Sequence, residues 1–126
     1  ALAKYILREE NWTSLRDHLD DEPHSLDLAM AETCNVVWKH FVLYKKISRD
    51  HAQILFKALM MLKDIVIFEP LEGYLQQGIE IALSEKITIY DALYLAQAEK
   101  HGRLLTGDEI QGEVARKIGI KVISIK

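Results

Sequence analysis

Segments whose apolar residues recur every three or four positions alternate along this chain with short segments that are apolar throughout. The first rhythm is that of a helix packed on one side, the second that of a covered strand. ALAKYIL, residues 1–7, reads as the middle of a helix, and Trp12, Leu15 and Leu19 place a second helical piece over residues 9–19. Asp20-Asp21-Glu22-Pro23 breaks that piece, because proline cannot extend a helix and disfavours helix in the residue before it. His24-Ser25-Leu26 is a short strand leading to Asp27, an N-cap for LAMAETCNVVWKHFVLY, which is apolar on nearly every side. Ser48 caps the next helix, with a stripe of Ala52, Leu55, Phe56, Leu59, Met60 and Leu62 in which the methionines are core filler.

After Asp64, Ile65-Val66-Ile67-Phe68 has the length and the unbroken apolarity of a strand covered on both faces. Pro70 opens a helix to about Glu85, with Leu71, Tyr74, Leu75, Gly78, Ile79, Ala82 and Leu83 on one side. Thr88 can cap a buried helix through Ala92, Leu93, Tyr94, Leu95, Ala96 and Ala98, which ends at His101-Gly102 in the manner of a left-handed glycine exit. Arg103-Leu104-Leu105-Thr106 is then a strand, Gly107-Asp108 a turn, residues 109–118 a helix stopped by Gly119, and residues 120–125 the last strand. Strands separated by helices throughout imply a parallel sheet with helices on both faces. The fold class expected is therefore α/β, a three-layer sandwich around a short, mostly parallel central sheet.

Composition adds limits. The 126 residues suffice for one domain, and 49% apolar with 28% charged residues is ordinary for a globular protein. No uncharged apolar run approaches a membrane span, no secretory signal is visible, and Cys34 is the sole cysteine, so a reducing, cytoplasmic home is expected. A net charge of −3 argues against binding nucleic acid by bulk electrostatics, although carboxylates that hold divalent ions would contribute to that sum. Locally the balance reverses: Lys39, His40, Lys45, Lys46 and Arg49 precede the next acid, Asp50. They form either a phosphate-facing edge or a solvated helix end with lysines against its dipole. No GxGxxG, P-loop, GxSxG or paired histidine spacing is present, which removes dinucleotide, Walker-type, serine-hydrolase and zinc readings. A receiver-like phospho-acceptor domain would need an acidic pair near its first strand and a late lysine, and neither is visible.

Three isolated acids remain. Glu32 interrupts an apolar helix, where a carboxylate must reach the surface, find a partner or bind a metal. Asn35 and Lys39 share its face. Asp91 falls one turn into its helix, where it either completes a capping box with Thr88 or serves a site. Asp108 follows a strand of the parallel sheet, the usual place for a ligand, and is also a good N-cap.

Glu32, Asp91 and Asp108 converging at one end of the sheet is a pattern that resembles the PIN domain, and more closely its VapC-type ribonuclease toxins. LDLAMAETCNVVWK resembles the family's first acidic helix, ITIYDALYLAQAEKHG its second, and RLLTGDEIQGEVARKIGIKVI its strand, Thr-x-Asp turn and closing helix and strand. The resemblance covers essentially the whole chain, as a single PIN-like domain over residues 1–126. It implies that Glu32, Asp91 and Asp108 hold Mg²⁺ or Mn²⁺, supported by Thr106 and Asn35, and hydrolyse RNA phosphodiesters; the basic stretch of Lys39, Lys45, Lys46 and Arg49 is then the edge expected to face the RNA. It also implies a small antitoxin partner and a homodimer. The family's first acid closes a strand just before a helix resembling ALAKYIL, so that strand and its Asp are expected to precede Ala1. Without them the expectation is weak metal binding and little activity. The alternative is a PIN-like module that binds RNA or protein without catalysis, and a third reading is a plain α/β binding domain whose acids are helix caps.

Overall fold

A computed structural model describes residues 23–125, so the helices expected over residues 1–7 and 9–19 and most of the break after them lie outside the described residues. The chain forms two compact units, which meet in sequence at Phe68 and Glu69.

In the first unit, β1 (His24–Leu26) leads into α1 (Leu28–Trp38), and α2 (Arg49–Met61) packs against α1 before β2 (Ile67–Glu69), whose last residue already belongs to the second unit. β1 and β2 are hydrogen-bonded neighbours, with the Ile67 N–H also donating to the Pro23 carbonyl at 2.8 Å. Leu26, Ala29, Thr33, Val37, Ala52, Leu55, Leu59, Leu62 and Val66 are buried here. Ser48 caps α2 as its sequence requires, its hydroxyl accepting from the His51 N–H at 3.0 Å. Asp27 does not cap α1: its backbone is helical and its side chain makes no capping bond, while its carbonyl accepts from the Met30 N–H at 3.1 Å.

Three expectations change. The buried line of α1 is only Ala29, Thr33 and Val37, and Glu32, Asn35 and Trp38 face solvent. Met60 and Met61 are exposed, because a stripe built on Ala52, Leu55, Leu59 and Leu62 leaves both beside it. Burial around β2 alternates, with Val66 inside and Ile65 and Ile67 outside, so this run covers one face rather than two. The long first helix also ends in a way its composition did not announce. Over Lys39–Leu43 it widens to a π-helical turn, in which the Tyr44 N–H reaches the Lys39 carbonyl five residues back at 2.8 Å. Lys45 then adopts a left-handed backbone, φ 52°.

The second unit is built on α3 (Leu75–Glu85), preceded by a 3₁₀ turn at Leu71–Tyr74, and α4 (Ile89–His101). The buried side of α3 runs through Gly78, Ile81 and Ala82, rotated from the predicted face, so that Ile79 and Leu83 are exposed. Gly78 lets α4 approach closely: a Cβ there would lie 2.9 Å from Leu93 Cδ2. Helix α4 is deeply buried along Ala92, Leu93, Leu95, Ala96, Gln97 and Ala98 and leaves through Gly102 at φ 88°.

β3 (Arg103–Thr106) then pairs in parallel with β4 (Lys121–Ser124), Arg103 opposite Lys121 and Thr106 opposite Ser124. Between them α5 (Glu109–Lys117) packs on both strands, and its C-terminus closes with the Gly119 N–H on Arg116 and the Ile120 N–H on Ala115. The expected helix-strand-helix-strand order is thus present, and the chain is α/β with short parallel strands.

Candidate functional site

At the end of β3 the sequence LLTGDEIQ makes a tightly bonded turn. Thr106 is buried, and its hydroxyl accepts from the Asp108 N–H at 3.0 Å while donating to Gln111 Oε1 at 2.8 Å. Asp108 Oδ1 in turn accepts from the Gln111 N–H at 3.0 Å, capping α5. Gly107 is required because a Cβ there would stand 2.9 Å from the Ile125 carbonyl, while the Ile125 N–H donates to the Thr106 carbonyl at 2.9 Å. The turn opens on a cleft of about 200 Å³, lined also by Glu109, Glu113, Arg116 and Ser124, with Arg116 Nη2 donating to Ser124 Oγ at 3.2 Å. Asp108 is therefore an N-cap and a cleft residue together. Gln111 escaped the sequence reading, although a Gln three residues after a capping Asp is where a reciprocal partner falls.

Asp91 is held differently. Thr88 caps α4 through the Asp91 N–H at 3.2 Å, but the half-buried Asp91 carboxylate takes no hydrogen bond or ion pair from the described residues, so the capping box is not closed. Because the chain turns back at Gly102 and α4 packs on β3, the head of the helix and the tail of the strand point to the same end of the unit. Asp91 and Asp108 both stand toward that end.

Glu32 and Asn35 belong to the other unit, exposed on α1, which removes the buried-core-acid reading of Glu32. Lys45, Lys46 and Arg49 are exposed and Lys39 half-buried in that unit. Among the described residues no three His, Cys, Asp or Glu side chains are gathered as a metal site. The donors of the second unit nevertheless suit a hard divalent cation. Asp91 takes no side-chain bond among the described residues, Asp108 has one oxygen outside its cap bond, and both are carboxylates. Thr106 has its hydroxyl occupied on both sides, so it aims Asp108 rather than offering itself as a ligand.

A second cluster went unread in the sequence. Glu69 Oε1 accepts from Tyr74 Oη at 2.8 Å and Gln97 Nε2 at 2.9 Å and lies 2.7 Å from His101 Nε2, with Lys100 Nζ 3.8 Å from the other oxygen. Burial alone would raise the Glu69 pKa. The bonds from Gln97, His101 and Tyr74, with the charge of His101, outweigh burial and hold it down at about 2. Tyr74 is pushed up to about 12 by burial, then by its bond to Glu69 and the charge there. Ten residues along α4 from Asp91 to His101 amount to ~15 Å, so this cluster fastens the far end of the helix. Its one signal in the sequence was Gln97, a polar residue amid an apolar, buried run.

A sequence model of the PIN domain matches residues 1–117, and the chain belongs to that family. It is also similar to a protein named Ribonuclease VapC3 from Pyrobaculum aerophilum, at 35% identity over 88 residues, 69% of this chain. The aligned region spans 66% of that relative's length. Among the described residues no helix is long and apolar enough to cross a membrane.

Proposed function

We propose that this chain is a metal-dependent endoribonuclease, the toxin of a toxin and antitoxin pair, acting in the cytoplasm as a homodimer restrained by a small antitoxin protein. Membership of the PIN family and likeness to a protein named as a ribonuclease support the activity class. The observation that carries it to particular residues is the pair of aspartates at one end of the second unit, one fixed by a capped turn and the other taking no side-chain bond among the described residues. Glu32, Asp91 and Asp108 are proposed as the acids that hold Mg²⁺ or Mn²⁺, with Asn35 beside Glu32 in support.

A divalent ion held there supplies positive charge to a phosphodiester and lowers the pKa of water. The protein's own groups orient and shield. Thr106 and Gln111 fix the Asp108 turn, and Arg116 offers the cleft a guanidinium suited to phosphate. Lys39, Lys45, Lys46 and Arg49 are proposed to contact the RNA backbone.

The test is a thermal melt of the protein and of Asp91→Asn with and without Mn²⁺, beside an RNA cleavage assay. The parent is expected to melt higher with the ion and the variant not, since a ligand that binds only the folded state raises its stability. Cleavage is expected to fall by more than about tenfold, the scale on which even supporting residues of metal sites act. The cap bond of Asp108 favours a second reading, a PIN-like module without catalysis. Tight binding of uncleaved RNA, indifferent to Asp91→Asn, would establish it instead.

A further inference from the structure

We propose that the exposed side of α1 and its π-helical end form a binding surface for single-stranded RNA, in which Trp38 and Tyr44 stack on bases and Lys45 and Lys46 meet phosphates. The proposal rests on the ribonuclease reading only for its choice of RNA as ligand.

The face is continuous. Glu32, Asn35, Trp38 and Val42 follow one another at helical spacings of three and four residues, all exposed, while Ala29, Thr33 and Val37 occupy the buried side. It therefore runs from a proposed catalytic acid to an aromatic end, and the six residues from Glu32 to Trp38 span ~9 Å along the axis. Trp38 is 45% and Tyr44 52% exposed, an uneconomical use of two large rings unless something covers them.

Tyr44 is also held in position. The π turn bonds its N–H to Lys39, His40 packs edge-on at 5.4 Å and 83°, and His40 is itself anchored by donating from Nδ1 to the Val36 carbonyl at 2.9 Å. Lys46 Nζ lies over the Tyr44 ring, 5.8 Å from its centroid, a cation–π contact that an incoming base would displace on that face, releasing the ammonium toward a phosphate. Between Thr33 and Arg49 the chain carries Lys39, Lys45, Lys46 and Arg49 and no Asp or Glu, against a net charge of −3 for the whole.

That charge complementarity selects a polyanion over a second protein surface, since the buried centre of a protein interface is poor in lysine. Fixed aromatic rings interleaved with lysines are the usual means of holding single strands, whose bases are free to stack. A duplex keeps its bases stacked on one another and unavailable to such rings.

The test uses a short fluorescently labelled single-stranded RNA of mixed sequence, in EDTA so that binding is read apart from cleavage, with Trp38→Ala, Tyr44→Ala and Tyr44→Phe. Both alanine variants are expected to melt like the parent and to bind about fivefold or more weakly, the lower end of what a stacked base contributes. Tyr44→Phe, which keeps the ring, is expected to bind as the parent does, and the same sequence as a duplex is expected to bind more weakly. Unchanged affinity in both alanine variants overturns the proposal. So does a Trp38→Ala variant that loses an oligomer seen in the parent yet binds RNA equally well, which would make this face a contact between copies. RNA bound through Trp38 and left uncut when Mn²⁺ is restored would uphold the surface while the ribonuclease reading fails. Cleavage and affinity both indifferent to Trp38 and Tyr44 would do the reverse.

Discussion

Thr106 joins two neighbours through one hydroxyl, accepting from Asp108 and donating to Gln111. Thr106→Val keeps the shape and removes both bonds, so urea unfolding is expected to show a loss of ~1–3 kcal/mol, whereas Thr106→Ser is expected to keep most of it. If the turn aims Asp108 at a metal, the Mn²⁺-dependent rise in melting temperature should shrink in Thr106→Val and survive in Thr106→Ser. Gly107→Ala is expected to destabilise by ~1–3 kcal/mol, because the new Cβ would press on the Ile125 carbonyl, backbone that cannot swing aside.

At the scale of elements, one polar tie gathers several partners on a single carboxylate. Glu69 fastens the start of the second unit to the last turn of α4, and its carboxyl titrates at about 2 rather than near its ordinary value of 4.5. A lowered acid pKa contributes stability that is complete above the unfolded value and lost as pH falls toward the folded one. Unfolding measured from pH 6 to pH 2 is therefore expected to show a decline that begins near 4.5 and that Glu69→Gln largely abolishes, the variant being less stable at neutral pH by on the order of 2–3 kcal/mol. Glu85 Oε1, at the end of α3, is sealed from water with no hydrogen-bond donor aligned to it, and the Lys117 ammonium 3.0 Å away on α5 balances its charge.

Which of these elements could be read beforehand follows from how local their causes are. Thr88, Ser48 and Gly102 act on neighbours within four residues, so the caps and the glycine exit were legible, as was the strand leading to Asp108. Glu69 meets Gln97 and His101 across 28 and 32 positions, a separation over which no spacing rule operates. Met60 and Ile79 are apolar residues beside a stripe rather than on it, and hydrophobicity alone does not give a helix its rotation. The π turn after Trp38 depends on one carbonyl being shared differently, which composition does not record.

For the molecule as a whole, net charge and local charge point in opposite directions, so any RNA affinity must come from a small set of cations and fade quickly with salt. Each phosphate neutralised on a single strand contributes a slope of about −0.7 to log affinity against log salt concentration. Lys46→Ala is expected to flatten that slope by about this amount in a salt titration, and Lys63→Ala, outside the basic stretch, to leave it unchanged.

The cap bond from Asp108 to α5 also bears on how an inert form of the protein should be made. Under the ribonuclease reading, an inactive version, to express in quantity or to use as bait for the proposed antitoxin, would be sought by changing either aspartate. Changing Asp108 also unfastens a helix, and a poor yield or a lost partner would then be read wrongly as biology. Asp91 takes no side-chain bond among the described residues, so Asp91→Asn is expected to leave the described surface as a proposed partner would meet it.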